Sequence, residues 1–492
     1  MEMKLAYREL PCWQENLITE RYSLTMEAVV PDNREDAKRV IWTRGYVLLK
    51  GKEPGAHSCS FLGEANASVL YLSETGELSV LRLRKEFSWT AELGSTDAEA
   101  LPQITWWPAA VEAKLPNPRK IAVSMELEGQ IRSYTRGSIQ VAPELDESEE
   151  KGLHFLRRAG KALILREVKE KAFSLREQLP LQQGQTAPVD LDGEEIRFCA
   201  LESEQLGERT ILKGEAELRV WGLDGEGLPA SCCFRIPFSQ LVELGELALS
   251  QAQISIQASS LYLDWREGLD GERSLDAEIH AVLQLRAYEA LSLDTVQDVY
   301  STRMRCVPKA EQRSILIALE REKVPMNADE SLSMPEDVQE LLAWEAVLGP
   351  LERNRESSEL SAEFQLLVRR ADGSLDEISR SAKLRGDTVA DGMVCGERSL
   401  DSCSLEFAEG KLQLHASASF SGELSDFELE SLITALDLDE EHPWNPALLP
   451  SINLVRRGGE SLWDIAKAYR SSVEMIQAYN EEESDLLLVP AL

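Results

Sequence analysis

The strongest constraint on the fold of this chain is that it makes the same hairpin three times. Residues 63–78 read "GEANASVLYLSETGEL", residues 214–228 "GEAELRVWGLDGEGL" and residues 361–375 "SAEFQLLVRRADGSL". In each, an apolar or half-alternating run meets a glycine-containing turn and then a leucine: Leu78, Leu228 and Leu375. The turns "ETGE", "LDGEG" and "ADGS" put glycine where positive φ is needed. Behind each hairpin comes a strongly alternating stretch. Ile121, Val123, Met125 and Leu127 share one face of the first; Leu275, Ala277, Ile279, Ala281, Leu283 and Leu285 share one face of the second. In the third the same role falls to Leu412, Leu414, Ala416, Ala418 and Phe420. Period-two alternation marks a strand with one buried and one wet face.

A recurrence at about 150 residues is too long for a solenoid repeat and matches a whole domain. The expected fold is therefore mainly β, with three tandem β-rich, sandwich-like units at 35–150, 160–295 and 296–436, the third the most diverged. A segment of residues 1–34 precedes them. Two helices are expected to interrupt the pattern. One spans residues 144–165, where acid comes first and base later, as suits a helix dipole. The other spans residues 425–438 and closes the third unit. Residues 437–451 contain "DEEHPWNPALLPS" and read as an extended linker, because residues before proline avoid the α region.

The chain of 492 residues holds 52 Lys+Arg against 86 Asp+Glu, a net charge of −34. A field of that sign repels nucleic acid and anionic lipid, so neither is an expected partner. The opening "MEMKLAYRELPCWQENL" lacks the apolar core of a signal peptide. No apolar run approaches the ~20 residues of a membrane helix. The expected compartment is the cytosol, and the eight cysteines, scattered without a CxxC pair, are expected as free thiols.

No constellation for catalysis stands out. His57, His154, His280, His415 and His442 lie far apart and make neither HxH nor HExxH. Gly160-Lys161 fails as a phosphate-binding loop, with Phe155 where its first glycine belongs and Ala162 after the lysine. Trp106 and Trp107 are neighbours on a strand and must point to opposite faces, so one belongs to a core. No enzyme, cofactor or metal site is expected.

From residue 452 the period changes. Leu462, Ile465, Ala466 and Tyr469 share one helix face, with Ser461 and Asp464 at capping-box spacing. Ser471 and Glu474 repeat that spacing ahead of a second short helix, whose inward residues would be Val473, Ile476 and Tyr479. With "INLV" before and "LLLVP" after, the order is β-α-α-β over 452–492.

This stretch resembles a LysM domain. Gly459, Glu460, Ser461, Leu462, Trp463, Ile465, Ala466, Tyr469, Val473, Ile476, Asn480 and Pro490 match its pattern position by position. The resemblance implies a shallow groove with Gly459, Glu460, Ser461, Leu462 and Trp463 on one wall and Asn480, Glu481 and Glu482 on the other. Most LysM grooves bind N-acetylglucosamine polymers. Here Glu481, Glu482, Glu483 and Asp485 would repel the carboxylates of cell-wall peptides, and the groove can equally dock a protein.

The opening "EAVVPDNREDAKRVIWTRGYVLLKG", running into "LGEANASVLYLSETGEL", is similar to the start of a SPOCS (DUF3794) domain, with its Pro-Asp element and short helix-like spacer. "DVYSTR" at 298–303 is similar to that family's linker into a further copy. Tandem SPOCS domains followed by one LysM is the layout of SipL-like spore-coat morphogenetic proteins of endospore-forming bacteria. The resemblance implies a non-enzymatic adaptor in the mother-cell cytosol, at the forespore surface. Its partners would be the ATPase of the coat's basement layer and other coat proteins. The alternative is a cell-wall factor that holds peptidoglycan through LysM.

Overall fold

The computed structural model describes residues 2–94, 102–144, 151–181, 185–206, 209–243, 251–267, 273–354, 357–394, 396–408, 410–445, 450–481 and 485–491. Strand β1 (Glu2–Lys4) stands first. Unit one follows with β2 (Ala6–Val29), β3 (Ala37–Pro54), β4 (Ser58–Ser73), β5 (Leu78–Glu92), β6 (Gln103–Asn117) and β7 (Lys120–Glu144). Unit two has β8 (Leu153–Pro180), β9 (Gly193–Leu206), β10 (Arg209–Leu223), β11 (Pro229–Glu243), β12 (Gln251–Glu267) and β13 (Arg273–Ser301). Unit three has β14 (Cys306–Ser333), β15 (Val338–Arg353), β16 (Ser358–Arg370), β17 (Leu375–Gly386), β18 (Arg398–Ala408) and β19 (Lys411–Leu438).

Each unit repeats one plan. A long strand opens it, a three-stranded meander follows, and an edge strand leads into a second long strand that pairs antiparallel with the first. In units one and two the meander sheet faces the sheet of long strands across an apolar core; in unit three β14 also pairs with β17, so both layers belong to one sheet wrapped around its core. The expected mainly β, sandwich-like architecture is what the chain adopts. Strand pairing draws the units at 6–144, 153–301 and 306–438. Residues 6–29, set apart in the sequence reading within the segment 1–34, thus supply the opening strand of unit one.

Among the described residues neither of the two helices expected to interrupt the β pattern is formed. Within 144–165, residues 153 onward belong to β8, and 145–150 lie outside the described residues. The run Ala162-Leu163-Ile164-Leu165 is buried on both faces, because β8 lies between its own unit and strand β2. Such a continuous apolar run looks the same in a buried strand and a buried helix. Residues 425–438 belong to β19. There, register shifts opposite Ala310 and Ala318 break the period-two pattern, and the apolar spacing drifts toward a helical one. The helix-like spacer expected after Pro31-Asp32 is a turn, with Arg34 N donating to the Pro31 carbonyl.

The three hairpins occupy equivalent places, β4–β5, β10–β11 and β16–β17, with Gly76, Gly227 and Gly373 all at positive φ. The leucines after the turns explain the recurrence. Leu78 joins Leu228 and Leu375 in one apolar cluster around fully buried Leu367. A second shared cluster takes Trp13 and Tyr134 from unit one, Leu163, Leu165 and Tyr288 from unit two and Leu319 from unit three. Each unit therefore touches both others.

A cavity of about 200 Å3 is walled by residues of all three units. At its edge Arg132, Arg286 and Glu423 occupy the same position of β7, β13 and β19, at equal distances beyond Ile121, Leu275 and Leu412. Arg132 Nη2 reaches Glu423 at 2.9 Å, and Arg286 pairs with Glu423 as well. Glu15 of β2 bridges the same two guanidiniums at 3.0 and 3.1 Å. Lys52–Glu170, Arg158–Glu428 and Arg44–Glu345 join the units further out. Strand β1 pairs with β19 at Ala435–Asp437, so the start of the chain is stitched to the last strand of unit three. Among the described residues no helix is long and apolar enough to cross a membrane.

Candidate functional site

The C-terminal module consists of β20 (Ile452–Arg456), α1 (Leu462–Tyr469), α2 (Val473–Tyr479) and β21 (Leu486–Pro490). The order is the expected β-α-α-β, with β20 and β21 antiparallel. Its small core is Ile465, Ala466, Ile476, Leu487 and Val489.

Helix α1 starts as its sequence dictates. Ser461 Oγ accepts from Asp464 N at 3.1 Å, and Asp464 Oδ2 accepts from Ser461 N at 3.3 Å, a closed capping box. Helix α2 is capped one residue later than its spacing suggests. Ser472, not Ser471, accepts from Met475 N at 3.1 Å. Tyr469 and Tyr479, expected inward, are 40% and 59% exposed. The aromatic ring inside this core is Tyr300 of β13, only 4% exposed.

The groove residues divide by task. Gly459 sits at φ +103°, a conformation that favours glycine, and Glu460 accepts from Gly458 N at 2.9 Å. Leu462 is half-buried against the module core. Asn480 ties α2 to β21: its Nδ2 donates to the Ile476 and Leu488 carbonyls, and its Oδ1 accepts from Leu488 N, each at 2.7 Å. Every polar atom of that side chain is engaged, so its role is structural. Glu481 is exposed, while Glu482 and Glu483 lie outside the described residues.

Trp463 is the residue with a partner that the sequence did not reveal. Its Nε1 donates to Asp298 Oδ2 at 2.8 Å, and its ring meets that of Tyr300 edge-on, centroids 4.8 Å apart. Lys467 Nζ donates to both oxygens of Asp298 at 2.8 and 2.7 Å. Tyr300 OH donates to the Ser471 carbonyl at 2.7 Å, and His154 stacks on the other side of that ring at 5.0 Å. Burial pushes the Tyr300 hydroxyl well above its usual range and lowers His154. Arg470, at the end of α1 in the left-handed region, lies 3.8 Å over Trp444 of the linker.

The face around Trp463 is therefore a small receptor that holds a carboxylate and a phenol ring from unit two. Sequence reasoning missed Asp298, Tyr300, Lys467 and Ser471. The available signal was the alternation in "DVYSTR": Asp298 and Tyr300 fall two apart on a strand and so share a face. Among the described residues no cluster of His, Cys, Asp and Glu is arranged to hold a metal ion. Compared with family models, curated proteins and solved structures, the chain matches none, so the LysM and SPOCS likenesses stand as resemblances of motif.

Proposed function

We propose that this chain is a non-enzymatic adaptor in spore-coat assembly, which docks the ATPase of the coat's basement layer through its C-terminal module and its β units. It would act in the mother-cell cytosol at the forespore surface. The observation that carries the reading is the occupancy of the Trp463 face: its ligands are the protein side chains Asp298 and Tyr300. A surface that seats a carboxylate and a tyrosine ring is suited to a protein. The three units, locked by shared apolar clusters and buried ion pairs, supply a rigid body on which to present it.

The test is a paired binding assay. Purified full-length protein is expected to retain the basement-layer ATPase on a resin and to stay in the supernatant when peptidoglycan is sedimented. Sedimentation with peptidoglycan and no retention of the ATPase would replace the adaptor by the wall-binding alternative.

A further inference from the structure

The face of the module that carries Trp463 already holds a ligand, and that ligand is a short piece of the same chain. Asp298 and Tyr300 leave one side of β13. The module meets the first with Trp463 Nε1 and Lys467 Nζ, and the second with the Ser471 carbonyl and its own apolar interior. We propose that this face is a recognition site for an extended segment with a carboxylate two residues ahead of a tyrosine, and that Asp298-Val299-Tyr300 is its resident, displaceable occupant. This deepens the adaptor reading and rests on it for the source of the competing segment, a partner protein.

Displacement follows from how the contact is built. The module has its own helix caps and paired strands, and five of the six buried residues of its core are its own, Tyr300 being the sixth. Only a linker joins it to β19. The side chains of Lys467 and Asp298 are 42% and 25% exposed, so water and salt screen the charged part of the contact. A short tether holds the two halves at an effective concentration on the order of millimolar. A dilute partner segment cannot compete with that. One that binds tighter, or that is displayed at comparable density on an assembled surface, can.

The probe is a fluorescein-labelled peptide of residues 296–303, VQDVYSTR, titrated into the full-length protein by anisotropy. Asp298→Ala weakens the resident occupant and leaves the module intact; it should bind the peptide about tenfold or more tighter than wild type. Lys467→Ala loosens the same contact but removes a recognition group, so it should gain nothing. A peptide with alanine in place of the tyrosine should fail to bind the Asp298→Ala chain. Amide hydrogen exchange over α1 and α2 verifies that the module stays folded; if Asp298→Ala disturbs it, Asp298→Asn takes its place in the same titration. The proposal is overturned if a folded Asp298 variant binds the peptide no better than wild type, or if Lys467→Ala gains as much. The coat ATPase plays no part in this assay. Peptide binding without ATPase binding therefore sinks the adaptor reading alone, and the converse sinks this proposal alone.

Discussion

Replacing Glu423 by glutamine tests whether the charge that sets unit three apart holds the three units together. The side chains of Arg132 and Arg286 are 6% and 7% exposed, and Glu423 is 21% exposed. Without Glu423, two desolvated guanidiniums share the single carboxylate of Glu15. Removing one partner of a buried ion pair costs about 3–5 kcal/mol. The partial exposure of Glu423 and the survival of Glu15 place this case at the low end, about 3 kcal/mol. At 1.36 kcal/mol per decade that is roughly a hundredfold rise in the opening equilibrium. Amide hydrogen exchange along β7, β13 and β19 should show the drop, with the outer hairpin turns unchanged. Glu423→Arg should be worse than Glu423→Gln, because three like charges would then meet. If the two variants match, or if Glu423→Gln leaves exchange unaltered, charge at this position is not what joins the units. The pH dependence carries the same sign. Burial pushes the Glu423 carboxyl up, but Arg286 and Arg132 outweigh it and hold it below its ordinary 4.5. The stabilisation is therefore complete above that value and lost as the pH falls from 4.5 through the lower folded pKa.

Leu367→Ala, at the fully buried centre of the shared hairpin cluster, should cost about 2–5 kcal/mol by denaturant unfolding, more than the same change at half-buried Leu228. Iodoacetamide should label exposed Cys233 early and its buried neighbour Cys232 only after unfolding, since the two point to opposite faces of β11, and mass spectrometry should find no disulfide. Trp463→Ala should abolish retention of the coat ATPase and raise amide exchange at the end of β13 while the module keeps its helical circular dichroism; unchanged ATPase binding would remove Trp463 from the docking face.

The parts of this fold that were legible in sequence are those with one wet face. Ile121 to Leu127 and Leu275 to Leu283 alternate because β7 and β13 show one side to a core and the other, less buried side away from it over those stretches. The same strands become illegible where they pass between units. Around Leu163 and Ile433 both faces are covered, alternation vanishes, and the text looks helical. The capping box of α1 was readable because Ser461 and Asp464 satisfy each other locally. The contact that defines the site was not, because Trp463 and Asp298 are 165 residues apart and neither residue type announces the other.

Unit three looks eroded beside its siblings, and at one position the erosion has a physical reason. Units one and two carry "QIRSY" and "QLRAY" where unit three has "SGELS". Three faithful copies would bring three arginines to one buried edge, and no arrangement of like charges in low dielectric is stable there. Two arginines and a glutamate, with Glu15 as the second acid, give a neutral cluster instead. The same substitution makes the units distinguishable. A second copy of unit one or two in the third place would present the wrong charge, so closure is favoured only within one chain and in one order. The divergence of unit three at this position is thus what lets three similar domains meet around one cavity. It also fixes the place of β13, whose far end carries Asp298 and Tyr300 to the C-terminal module.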